Sequence, residues 1–102
     1  MRIITKAFLT AAAVEHPRAA EGITRWIKMV RAAQWKNTVE MKRSAPEADP
    51  LKVRSERTVC IFNIRRNEYR LIAAVHFNRQ IVFTLRFLTH AEYDLVQWKN
   101  DL

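Results

Sequence analysis

Asn67-Glu68-Tyr69-Arg70-Leu71-Ile72-Ala73-Ala74 and, one turn later, Ile81-Val82-Phe83-Thr84-Leu85-Arg86-Phe87-Leu88-Thr89-His90-Ala91-Glu92-Tyr93-Asp94 decide how this chain is read. Both runs are rich in β-branched, aliphatic and aromatic residues and are bounded by polar turn residues, the pattern of strands that belong to a core. Each nevertheless carries an arginine among its apolar residues. A strand tolerates that when one face of its sheet is open and has a use for charge. The pair of runs therefore predicts an antiparallel hairpin with one covered face and one open face.

Register follows from matching the apolar sets. Tyr69, Leu71, Ala73, Val75 and Phe77 share one face of the first strand, and Arg70, Ile72, Ala74 and His76 share the other. In the second strand Ile81, Phe83, Leu85 and Phe87 form an apolar face opposite Val82, Thr84, Arg86 and Leu88. The apolar faces coincide if an odd number of residues is skipped, most simply Asn78-Arg79-Gln80; a two-residue turn would flip one set. Ile72 is then opposite Arg86, with Arg70 on the diagonal at roughly 7–8 Å. By the same parity His90 leaves the strand on the arginine side, and Tyr93 returns to it if a helical turn begins at Ala91. Arg70, Arg86, His90 and Tyr93 are thus expected to converge on the uncovered face.

Upstream, Thr58 to Ile64 reads as a third strand of the meander, and Arg2-Ile3-Ile4-Thr5 as a short first strand with Thr5 placed to cap the helix after it. Lys6 to Glu15 is alanine-rich and ends before His16-Pro17, where proline suits the start of a second helix. Ile23, Trp26, Ile27 and Val30 recur at i, i+3, i+4 and i+7 opposite Arg25, Lys28 and Arg31, an amphipathic helix. Thr38 is placed to cap a two-turn helix ending near Ala45-Pro46. Glu47 to Glu56 reads as an irregular loop, and Ala91 to Trp98 as a last turn or two of helix. Strand, helices and then strands in this order make an α+β fold. It is read as a single domain over residues 1–102, its N-terminal strand and helices packed on one face of a mainly antiparallel sheet.

Composition narrows the partner. A chain of 102 residues, 49% hydrophobic and 27% charged, is globular and has room for one core. Its net charge of +8 favours a polyanionic partner. The excess is local: Leu51 to His90 holds eight Lys/Arg against two carboxylates, whereas Ala91 to Leu102 holds one lysine against three. The lone Cys60 excludes an internal disulfide, fits a reducing cytoplasm and reads as a small core residue. No segment reaches the ~18–20 apolar residues of a membrane span. No apolar leader with a cleavage site opens the chain, so a soluble, cytoplasmic protein is expected.

His16, His76, His90 and Cys60 share no metal-ligand spacing, and there is no glycine-rich phosphate loop or nucleophile elbow. What the open face suits is metal-free, cofactor-free phosphodiester chemistry. RNA brings its own nucleophile, the 2′-hydroxyl, so the protein need only activate it, stabilise the phosphorane and protonate the leaving oxygen. Arginine pairs bidentately with phosphate oxygens and keeps its charge; histidine and tyrosine transfer protons. Each residue also has a plainer use. Arg70 and Arg86 can snorkel, His90 can be a hydrogen-bonded strand end, Tyr93 a helix aromatic, and Trp26, Trp35 and Trp98 core or partner contacts.

From Asn67 to Asp94, with its Asn-x-Tyr-Arg-Leu-Ile strand and its Thr-His-Ala-Glu-Tyr-Asp end, the chain resembles the HigB-type mRNA interferase toxins of the RelE-like toxin–antitoxin group. The resemblance continues through His16-Pro17, Trp26, Trp35-Lys36 and Phe62-Asn63-Ile64. It implies a RelE-like toxin domain and ribosome-dependent cleavage of mRNA without a metal in the bacterial cytoplasm. It also implies a helix-turn-helix antitoxin, held in a toxin–antitoxin hetero-oligomer. Arg70 matches the arginine such ribonucleases use on phosphate, His90 a basic or histidine position after the last strand, and Tyr93 their C-terminal tyrosine. Arg86 would share the phosphate, Glu92 would orient His90 or act as base, and Lys36 and Asn67 would contact the RNA backbone. Two departures concern turns: Arg65-Arg66 and Gln80 stand where the group usually carries glycine. The alternatives are a non-catalytic toxin that binds a protein target and a basic RNA-binding module on the same fold.

Overall fold

Helix-forming residues dominate the first half of the chain and β-branched and aromatic residues the second, and the structure divides accordingly. The computed structural model describes all 102 residues. In chain order it contains β1 (Arg2–Ile4), α1 (Lys6–Glu15), a 3₁₀ turn (Pro17–Ala19), α2 (Ala20–Ala32), α3 (Thr38–Ser44) and β2 (Asp49–Lys52). These are followed by β3 (Thr58–Ile64), β4 (Tyr69–His76), β5 (Ile81–Thr89), α4 (His90–Asp94) and α5 (Gln97–Asp101). The five strands form one sheet in the order β1-β5-β4-β3-β2, antiparallel except for β1, which runs parallel to β5. This is the α+β architecture expected.

The main core lies between the sheet and the N-terminal helices. Ile23, Trp26 and Val30 bury the apolar stripe of α2 against Phe62, Ile64 and Leu71, with Leu9, Trp35 and Met41 completing the layer. Trp26 meets Phe62 edge-on at 5.5 Å and Trp35 stacks over the same ring. Gly22 is explained by approach rather than by backbone conformation: a Cβ there would lie 2.8 Å from Cγ2 of Ile64. Any larger residue would force the Ile64 side chain or the α2 backbone to shift.

The opposite face is less open than expected. Val53, Val59, Ile61, Ile72 and Trp98 form a second, smaller cluster, bordered by Leu88, Tyr93 and Leu102. The C-terminal segment folds back over part of the face because Trp98 and Leu102 gain an apolar floor there. The single helix expected over Ala91–Trp98 is instead two, broken where Val96 adopts a left-handed φ of 56°.

Register at the arginine end is as the hydrophobic match predicts: Arg70 pairs with Leu88 and Ile72 with Arg86. The turn is not. His76 pairs with Ile81, so four residues, Phe77–Gln80, connect the strands, and an irregularity between Ile72 and Ala73 absorbs the extra residue. Beyond this bulge the sides exchange. Val82 and Thr84 face the helices, Phe83 packs edge-on against His76 at 5.2 Å, and Phe87 returns to the helix side to stack on Tyr69. Bulges re-aim side chains in this way, and here both ends are anchored. Val82 pairs with Ile3 of β1, the hydroxyls of Thr84 and Thr5 lie 2.6 Å apart, and Gln80, at φ 56°, donates from Nε2 to the carbonyls of Phe77 and Trp35.

Other expectations shift by local chemistry. Thr5 caps nothing: it is left-handed (φ 69°), and its hydroxyl is engaged with Thr84. Asn37, not Thr38, caps α3 by accepting the Glu40 N–H at 2.9 Å. The segment read as a loop contains β2, an edge strand where Pro50 is tolerated because only one side is paired. Cys60 is buried, as expected of a core residue. No helix is long and apolar enough to cross a membrane.

Candidate active site

The site is assembled where β4 begins and β5 ends. The β3–β4 turn holds Arg65 and Arg66 in left-handed conformations, φ 51° and 62°, at the positions where glycine would be free of strain. Glu68 pins this turn: its carboxylate pairs with Arg18 at 3.2 Å and with Nε of Arg65 at 3.4 Å, and its carbonyl accepts the His90 N–H at 2.9 Å. Arg70 lies two residues on. Its Nη1 donates to the Asn67 carbonyl at 2.7 Å and to that of Tyr69 at 3.5 Å, and its guanidinium carbon lies 5.2 Å from the centre of the Tyr93 ring.

Tyr93 is held from the other side. Its ring stacks on Trp98 at 5.2 Å, and Trp98, anchored in the second cluster, donates from Nε1 to the Tyr93 carbonyl at 3.0 Å. Burial, helped by Asp49 and Asp94 and opposed by Arg70, pushes the Tyr93 phenol above its ordinary pKa. The phenol therefore stays protonated through neutral pH, which suits a proton donor and not a base.

The β5-to-α4 junction is a capping box. Thr89 accepts the Glu92 N–H on its hydroxyl, and the Glu92 carboxylate accepts the Thr89 N–H at 2.9 Å. This consumes Glu92 at the helix start and points away from the expected role as a partner of His90. The partner is Asp94, whose Oδ2 lies 3.3 Å from Nε2 of His90 one helical turn on. His90 remains exposed at the mouth of the site.

The structure thus brings Arg70 and Tyr93 into contact, with Asn67 serving through its backbone and His90 opening the adjoining helix. Arg86 lies on the same face by register, diagonal to Arg70, and its Nη1 donates to the Leu85 carbonyl at 2.8 Å. Lys36 is not brought in. It neighbours Phe77 and Gln80 at the far end of β4, on the order of 20 Å away by strand rise. Three residues went unread: Asp94, Asn63 and Asp49. Asn63 pairs with Arg70 and so shares its face; Asp49 ends the ladder that runs through Ile61 and Ile72 to Arg86. The i, i+4 spacing of His90 and Asp94 was a usable signal; Asp49 had none while its segment read as a loop. No group of three or more His, Cys, Asp or Glu side chains gathers to hold a metal ion.

Chemically, this is a fixed cation beside a neutral phenol and an exposed imidazole–carboxylate pair, all at the rim of a basic sheet. A family model for the HigB toxin, described as the RelE-like toxic component of a toxin–antitoxin system, matches residues 19–96. The chain belongs to the HigB toxin family. The matched span contains every candidate residue, from Lys36 to Tyr93. Among curated HigB relatives, the mRNA interferase toxin HigB of Escherichia coli K12 is 29% identical over 94 residues, 92% of this chain and 88% of that protein. The mRNA interferase HigB of Shigella flexneri matches to the same extent. That of Escherichia coli O6:H1 is 28% identical over 92% of this chain and 89% of its own length.

Proposed function

We propose that this HigB-family chain is an endoribonuclease that cuts messenger RNA on the ribosome without a metal ion and is restrained by a helix-turn-helix antitoxin in a hetero-oligomer. The observation that carries the reading is the Arg70 guanidinium resting on the Tyr93 ring at the β4/α4 junction. A phosphate drawn to Arg70 arrives beside a phenol that keeps its proton. The relatives' description as mRNA interferases supports the substrate.

In this scheme the 2′-hydroxyl oxygen attacks the adjacent phosphorus as His90, oriented by Asp94, accepts its proton. Arg70, with Arg86 from the neighbouring strand, stabilises the charge on the phosphorane. The bond from phosphorus to the 5′-oxygen breaks, and Tyr93 supplies the proton to the departing oxygen. The products are a 2′,3′-cyclic phosphate and a 5′-hydroxyl. The open site has little concavity with which to align an in-line attack, so the ribosome supplies the alignment and free RNA is cut poorly.

The test is a translated message with a single 2′-deoxynucleotide at the cut position. Cleavage should stop at that position and continue at unmodified ones. It should also survive chelation of free divalent ions in excess of what keeps the ribosome assembled. Continued cutting at the deoxy position would falsify the mechanism.

A further inference from the structure

A cleft of about 480 Å³ opens on the helix side of the sheet, between α2 and the end of β3. β2 accompanies β3 only as far as the Asp49–Ile61 pair, so Phe62 to Ile64 have no strand beside them on the cleft side. An unpaired edge of this kind offers a row of backbone donors and acceptors to another extended chain. The floor is apolar, and one of its walls is Trp26, whose indole N–H is buried without an acceptor, the one buried side-chain polar atom in the molecule so placed. The rim is basic: Arg18, Arg25, Arg65 and Arg66 against Glu21 and Glu47. Glu21 is already engaged by Arg25 at 2.6 Å, and Arg18 and Arg65 are tied to Glu68, which leaves Arg66 without a carboxylate partner.

We infer that this cleft is the docking site of the antitoxin, which enters it as an extended acidic segment pairing with the free edge of β3. This rests on the toxin–antitoxin reading above. A peptide fits better than RNA on three counts. The open edge matches a peptide backbone, the apolar floor takes an aliphatic or aromatic side chain, and the indole N–H needs a carbonyl or carboxylate acceptor, reached as the floor shifts to admit it. The acidic character follows from the rim, where carboxylates of the segment meet the unpaired Arg66 and compete with exposed Glu21 for Arg25. The cleft lies across the sheet from Tyr93, so docking there leaves the phenol itself uncovered.

The experiment uses the full chain and the protein encoded by the adjoining reading frame, purified as a co-expressed pair. In the complex, the amides of Phe62 to Ile64 should gain hydrogen-exchange protection, and the Trp26 indole N–H resonance should move. The double variant Arg25→Glu/Arg66→Glu should bind at least about tenfold more weakly, whereas Lys36→Glu, the same charge reversal at the far end of the sheet, should bind as the wild type does. Thermal unfolding verifies that the variants are folded. Undiminished affinity in the double variant, or protection elsewhere with none on β3, overturns the site. So does a double variant that loses ribosome binding while keeping the antitoxin, since the cleft would then belong to RNA. Absence of any complex with the wild-type chain removes the toxin–antitoxin reading, and the site assignment with it.

Discussion

Arg70 and Leu71 are neighbours in sequence and opposites in role. Arg70 lies on the site face with its guanidinium held by carbonyls and the Tyr93 ring, whereas Leu71 is fully buried in the main core. Arg70→Ala should abolish growth arrest while costing only the cation–π contact and the carbonyl hydrogen bonds, about 1–2 kcal/mol. Leu71→Ala should cost about 2–5 kcal/mol through the cavity it leaves. A growth assay beside thermal unfolding separates the two; a toxic Arg70→Ala chain would displace the site. Cys60 makes a further residue-scale prediction. Burial, with Asp49 adding to it, pushes its thiol from 9.0 up to about 11. The folded state therefore holds the proton more tightly than the unfolded one. The resulting stability is complete below pH 9 and is lost between 9 and about 11 as the unfolded thiol ionises first. Denaturant titrations at about pH 8 and about pH 11 should show that loss, roughly 2–3 kcal/mol, and Cys60→Ala should reduce it.

The β5–α4 junction is one capping box, and its energy is separable from its chemistry. Thr89→Ala removes the hydroxyl that accepts the Glu92 N–H and should cost about 1 kcal/mol, with a loss of cleavage larger than that stability change explains, because His90 opens the same helix. Measuring both in one variant checks the coupling; full cleavage with a frayed helix would show that His90 needs no such support. The strand periods, the stripe of α2 and the Arg70/Arg86 diagonal were legible because they depend on spacing alone. The capping box was legible too, as Thr89-x-x-Glu92, and so was the i, i+4 spacing that puts Asp94 against His90. The bulge was not legible. It is set by Thr5, Gln80 and the β1 pairing, contacts that join residues 45 to 79 positions apart and leave no local pattern. The same holds for the covered half of the second face, where α5 reaches Ile61 and Ile72 only once the sheet exists.

At the scale of the whole molecule, the chain carries a net charge of +8 on a fold built around one five-stranded sheet. An antitoxin that docks on a chain of this charge should be drawn to it electrostatically. Antitoxin association should slow markedly as salt is raised, with dissociation set by the apolar contacts. Stopped-flow association at low and high salt measures this; equal rates would place the partner away from the basic regions. The parallel pairing of β1 with β5 has a consequence in time. Arg2 and Ile81 are bonded neighbours in the sheet, so the first strand made must wait for the last. A nascent chain cannot close its sheet, nor seat Tyr93 on Trp98, until nearly all of it has left the ribosome that is making it, and such late, long-range closure is slow. Under the proposed function, each new copy therefore has no assembled site to turn on its parent ribosome during synthesis. The interval before closure is one in which an antitoxin already present can meet it unfinished.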